Sequence, residues 1–127
     1  MLSDNDAIAT IAVVNIDRAK AFYGEKLGFK EKLPAYNPSV VTYESGRSAV
    51  LVYESQYAGT NQATVATWSV GDLEPIVEAL RTRGVTFEHY DFHGPIRQGD
   101  IHVFDRLKTV WFKDPDGNIL SIISTRA

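Results

Sequence analysis

The chain contains no cysteine, which excludes a disulfide framework, a thiolate nucleophile and a zinc–thiolate centre. It has no apolar stretch of membrane-spanning length. Lysine and arginine are scattered, and the net charge is −3 with a pI near 5.5, so nucleic acid and anionic membrane surfaces are poor partners. The opening Met1-Leu2-Ser3-Asp4-Asn5-Asp6 carries acids where a signal peptide needs basic residues followed by an apolar run. A glycine-rich phosphate cradle and a Ser-His-Asp order suggestive of a hydrolase are also missing. These absences point to a soluble cytoplasmic protein without nucleic-acid or membrane partners.

What is present fits an ordinary globular domain. Hydrophobic residues make up 44% of 127, enough to bury a core in one domain or in two small modules sharing one. An apolar run over 8–14 ends at Asn15, a good N-cap, and Ile16, Ala19, Phe22 and Tyr23 follow at helical spacing. Gly28 supplies the stop. Strand-like runs follow at about 30–35, 39–44 and 48–54, the last two joined by Glu44-Ser45-Gly46-Arg47.

Residues 55–62 are polar and read as a linker. The pattern then repeats, with a strand at about 64–70 and Asp72 as the next N-cap. A helix carries Leu73, Ile76, Val77 and Leu80 on its apolar face, with Pro75 in its first turn, and stops at Gly84. Strands near 86–92, 100–104, 107–113 and 118–124 complete the unit. This is one supersecondary unit twice, an internal pseudo-repeat: module one covers about 7–55 and module two about 63–127, within a single domain spanning 1–127. Residues 93–106 read as an inserted loop of mixed character. In Asp114-Pro115-Asp116-Gly117-Asn118, proline presets φ, aspartate accepts local backbone hydrogen bonds and glycine takes the positive φ, so apolar runs on both sides make a hairpin.

Three stretches carry a family resemblance. Val110–Ile123 with its Asp-Pro-Asp-Gly turn, Val13–Tyr23 ending in Leu27-Gly28-Phe29, and Val70-Gly71-Asp72-Leu73 with a helix closing at Arg83-Gly84-Val85 occur in the order and spacing of the vicinal oxygen chelate superfamily. That group contains glyoxalase I, extradiol dioxygenases, fosfomycin-resistance transferases and bleomycin-binding proteins. The resemblance implies an α+β fold in which two βαβββ modules form a curved, partly open sheet around a cleft, with helices outside. It also implies a homodimer. Members that bind a divalent cation carry His or Gln seven positions before the residue opening each helix, and Glu on the last strand. Here those positions are Ile8, Val65 and Ser121, none of which can replace the missing ligands. No metal and no cofactor are therefore expected.

Strand alternation and the resemblance together assign faces. Ile8, Thr10 and Ala12, then Val65, Thr67 and Ser69, and Ile119, Ser121 and Ile123 are expected on the concave side, with Thr109 and Trp111 beside them. Trp68, of opposite parity, is expected in the core under the second helix. Such a floor suits a flat, largely uncharged ligand held by stacking and a few hydrogen bonds, and it shows no evident general base, nucleophile or oxyanion device. Tyr53, Tyr57, Tyr90, Phe92 and Phe104 are candidate aromatic walls. The candidate ligand-binding set is thus Thr10, Tyr53, Tyr57, Thr67, His93, His102, Phe104, Thr109, Trp111 and Ser121. Each has a plainer reading: Trp111 as a core residue, the hydroxyls as strand-compatible side chains, and Tyr53 and Tyr57 as subunit-interface aromatics.

A second class of function stays open. His89, Asp91 and His93 alternate at i, i+2 and i+4, and Asp100 and His102 repeat the spacing; on one strand face they could hold a metal for a glyoxalase- or dioxygenase-type lyase or isomerase. Gly94-Pro95 breaks the strand immediately afterwards, which favours solvated histidines. The leading expectation is a metal-free protein that binds an aromatic or polycyclic small molecule without catalysis, sequestration being one form of that binding.

Overall fold

Strand periodicity, not helix content, dominates the architecture of the computed structural model, which describes residues 1–90 and 96–125. After a short 3₁₀ turn at Leu2–Asp4, β1 (Ala9–Val13) leads to α1 (Ile16–Lys20), which continues as a π-helical segment over Ala21–Lys26. Strands β2 (Lys30–Glu31), β3 (Val40–Ser45) and β4 (Ser48–Glu54) follow. The Asn15 side chain accepts from the Arg18 N–H at 2.9 Å, the capping bond its residue type calls for. The expected strand at 30–35 is confined to two residues, because Pro34 and Pro38 remove ladder donors nearby.

The second half runs β5 (Thr64–Ser69), α2 (Leu73–Thr82), β6 (Phe87–Glu88), β7 (Ile96–Gln98), β8 (Ile101–Phe104), β9 (Leu107–Lys113) and β10 (Ile119–Ser124). Asp72 occupies the N-cap position of α2 with extended backbone, but its side chain makes no capping bond. The segment expected as an inserted loop contains a hairpin instead. β7 and β8 pair around Gly99-Asp100, with Gly99 at φ 63°, the positive φ that two-residue hairpin turns require.

The strands form two open ladders. The first has the order β1-β4-β3-β2, and the second β5-β10-β9-β8-β7 with β6 also on β9. In each, the opening strand runs parallel to the closing one, β1 with β4 and β5 with β10, as a βαβββ unit demands when a helix crosses between them. β1 and β5 lie side by side at the seam between the ladders. A single core spans that seam on the helix side, including Ile11, Val13, Phe22, Val52, Leu73, Val77, Val110, Phe112, Leu120 and Ile122. This is the α+β architecture of paired βαβββ units with open sheets.

The Asp114–Asn118 turn does more than reverse the chain. The Asp114 carboxylate, 4% exposed, accepts from Tyr23 Oη at 2.6 Å, from the Asn118 N–H and side-chain Nδ2 at 2.9 and 2.8 Å, and from the Asp116 N–H at 2.9 Å. Asn118 Nδ2 also donates to the Ala12 carbonyl at 2.7 Å, while Asp116 accepts from the Val14 N–H at 3.2 Å and pairs with Arg18. The turn of the second unit is thereby bonded to the β1–α1 junction of the first.

Candidate functional site

The face of the second ladder away from the helices gathers most of the candidate side chains. Cross-strand partners share a face, and the register Thr67↔Ser121↔Trp111, with Thr109↔Ile123 and His102↔Thr109, gathers Thr67, Ser121, Trp111, Thr109 and His102 on it. Ala66, Leu120, Ile122, Val110 and Phe112 take the opposite, core face. Of the ten candidates, this ladder brings together six, the five named and Phe104.

Trp111 is the centre of the arrangement. Its indole meets the rings of His102, Tyr90 and Phe104 edge-on, with centroids 4.9, 5.3 and 6.2 Å away, the geometry that the aromatic quadrupole favours. Its Nε1 donates to Thr64 Oγ1 at 3.2 Å. Beside it opens a cleft of about 410 Å³ lined by Gln62, Ala63, Thr64, Tyr90, Trp111 and Ile119. None of these six side chains is charged. Thr67 and Ser121 hydroxyls lie 3.2 Å apart, and the Thr109 hydroxyl is buried with no hydrogen-bond partner among the described residues.

One expectation about this face is corrected, and one lining residue is added. A register shift between Ile119 and Leu120 pairs Ile119 with Thr64 and brings Thr64 to the cleft, while the partly buried Val65 packs against the hydrophobic core cluster. Thr64 was missed for that reason, since a bulge moves a side chain without leaving a mark in the alternation. His102 is not a solvated loop histidine. It is 1% exposed on β8, with Nε2 within 3.0 Å of the Tyr90 N–H and 3.2 Å of the Tyr90 carbonyl, so a protonated or unprotonated Nε2 finds a backbone partner.

The remaining candidates lie elsewhere. Thr10 and Tyr53 are on the inner face of the first ladder, opposite the buried Ile11, Val13, Val50 and Val52. Tyr57 is 68% exposed in the segment between the ladders, and neither tyrosine lines the Trp111 cleft. His93, with Asp91 and Phe92, lies outside the described residues. Trp68 is half-buried at the core's edge, where it stacks on Phe29 and donates to Ser45 Oγ at 3.0 Å.

The family's cation positions hold no cation ligands of the usual kind. Ile8 is a half-exposed aliphatic side chain, Val65 is partly buried against the hydrophobic core cluster, and the Ser121 hydroxyl is 3.2 Å from that of Thr67. Two hydrocarbon side chains and a neutral hydroxyl do not fit a resident divalent cation. Among the described residues, His89 and His102 do not replace them. His89 Nε2 is 2.7 Å from Asp100 Oδ1, and Asp100 also binds Arg81 of α2 at 2.5 Å, whereas His102 is committed to Tyr90. Burial would raise the Asp100 carboxyl, but the hydrogen bonds from Arg81 and His89 outweigh it and hold it below the usual carboxylate range. Among the described residues, no group of three or more His, Asp or Glu side chains is placed to hold a metal.

Comparison with known proteins places this geometry. Residues 7–122 match the model of the Glyoxalase/Bleomycin resistance protein/Dioxygenase superfamily. A glyoxalase family protein from Enterococcus faecalis superposes with a TM-score of 0.71 at 21% identity, over 97% of this chain and 99% of that one. An integron cassette protein from the mobile metagenome of a Halifax Harbour sewage outfall gives 0.68 at 22%, over 94% and 97%. TnmS3, an antibiotic binding protein from Streptomyces sp. CB03234, gives 0.62 at 17%, over 94% and 96%. No curated protein matches the sequence significantly. With its two βαβββ units and a family match over nearly its whole length, the chain belongs to the Glyoxalase/Bleomycin resistance protein/Dioxygenase superfamily.

Proposed function

We propose that the protein binds a flat, largely uncharged aromatic or polycyclic small molecule in the Trp111 cleft, without a metal ion. The observation that carries this reading is the conjunction of an indole walled by three further rings, a cleft of about 410 Å³ without a charged side chain among its described lining, and Ile8, Val65 and Ser121 at the cation positions. Stacking on Trp111 and Tyr90 supplies attraction, and the Thr64 hydroxyl and Gln62 amide orient polar edges of the ligand. Such a site needs affinity and no catalysis, as in sequestration.

The antibiotic-binding function named for TnmS3 is compatible with this chemistry, although at 17% identity the likeness extends only to fold. The test is a thermal-shift screen of aromatic antibiotics and metabolites, since a ligand specific for the folded state raises the melting temperature by mass action. Trp111→Ala is expected to abolish the shift given by any hit. A shift that survives unchanged places the ligand elsewhere. A homodimer is part of the same reading, supported by the exposed Leu33, Tyr36, Tyr57 and Ile96. Sedimentation equilibrium decides that point.

A further inference from the structure

On the opposite face of the second ladder from the Trp111 cleft, the two units leave a gap. Leu27 and Phe29, just after the first helix, form one wall, Ile76 and Leu80 of α2 the other, and Trp68 and Phe112 the base of a hollow of about 170 Å³. Its lining is entirely apolar apart from the Trp68 indole N–H, and that group is satisfied by Ser45 Oγ at 3.0 Å. Nothing in the hollow asks an occupant for a hydrogen bond. Phe29 and Trp68 lie 5.6 Å apart and tilted by 33°, a ready aromatic surface.

Size and access narrow the occupant. A volume of about 170 Å³ holds one aromatic ring, and because the hollow opens to solvent, an entering ring displaces water from apolar surface and adds dispersion contacts with the walls. Leu27, Phe29, Trp68 and Ile76 are only half-buried, so a ring can enter without unfolding. We propose that this hollow is a second ligand site, for one uncharged single-ring aromatic, independent of the Trp111 cleft. Because its walls come from both units, an occupant there holds the seam closed.

The chain has two tryptophans, so a Trp111→Phe protein reports on Trp68 alone. Titrated with toluene, that protein is expected to show a saturable change in Trp68 emission below toluene's solubility limit, with one site per chain and a rise in melting temperature. Ile76→Phe in the same background fills the hollow, and should lose both responses while keeping a cooperative melt. If that substitution does not fold, Leu27→Phe from the other wall asks the same question. No saturable response, or one that persists in the filled variant, overturns the proposal.

Discussion

Removal of the Asp114 carboxylate tests whether the turn before β10 is a local reversal or the bond between the two units. In Asp114→Ala, Tyr23 Oη and the Asn118 N–H lose an acceptor where both residues are buried, at 0% and 3% exposure. The Asp116 N–H is less enclosed, and Asn118 Nδ2 keeps the Ala12 carbonyl. Each buried donor left unpaired costs about 1–3 kcal/mol, so the two together cost roughly 4 kcal/mol. That is a large part of the roughly 5–15 kcal/mol by which domains are stable. With a urea m-value of about 2 kcal/mol/M for a chain of this size, the midpoint should fall by roughly 2 M at unchanged m.

A double-mutant cycle sharpens the argument. Tyr23→Phe removes only one of the four donors and should cost about 2 kcal/mol, the range of a hydrogen bond to a charged group. Once Tyr23 is gone, Asp114→Ala no longer strands a buried hydroxyl. The double mutant should therefore be more stable than the sum of the single effects implies, by about 1–3 kcal/mol. Additive effects, or an Asp114→Ala cost below about 1 kcal/mol, would refute the view that this carboxylate ties the units together.

Other outcomes follow from the same structure. Burial, together with the neighbouring Asp114, pushes the Tyr23 phenol far above its ordinary value, and burial beside Glu31 pushes Tyr43 up to about 12. Unfolded tyrosines lose their protons near pH 10, so above that pH the native state holds more protons and stability falls as pH rises. Urea midpoints should drop between about pH 10 and 12, and the drop should be shallower in Tyr23→Phe. Gly59 and Gly46 both have positive φ, 71° and 56°, but a Cβ on Gly59 would lie 2.0 Å from the Asp116 carbonyl oxygen, while one on Gly46 meets nothing. Gly46→Ala should cost about 1 kcal/mol for backbone conformation alone, and Gly59→Ala clearly more; equal urea midpoints would contradict the close approach. Protein exposed to zinc, nickel, manganese and ferrous iron should remain sub-stoichiometric by elemental mass spectrometry. One tightly held ion per chain, lost in His102→Ala or His93→Ala, would contradict the metal-free reading.

Local chemistry made much of the framework legible. Asn15 caps a helix because its side-chain oxygen reaches the Arg18 N–H within one turn, and β9 and β10 flank a turn whose Pro, Asp and Gly each have a conformational reason to be there. The family resemblance, with period-two alternation, assigned Thr109, Trp111 and Ser121 to one face, and the β9–β10 register keeps that parity. What alternation does not encode is a register shift, so the place of Thr64 in the cleft lining was not legible. Nor does it encode depth: His102, in a polar stretch, became buried only because β8 pairs with β9 and puts the ring against Trp111. Asp114 illustrates the same division. Its role in the turn is written in five consecutive residues, whereas its bond to Tyr23, 91 positions away, exists only once both units have packed on a common core. The sequence by itself determined which short segments form strands, helices and turns, because those choices rest on neighbouring atoms. Tertiary structure alone decided which side chains share a cleft, a hollow or a carboxylate, because those contacts depend on how distant segments meet.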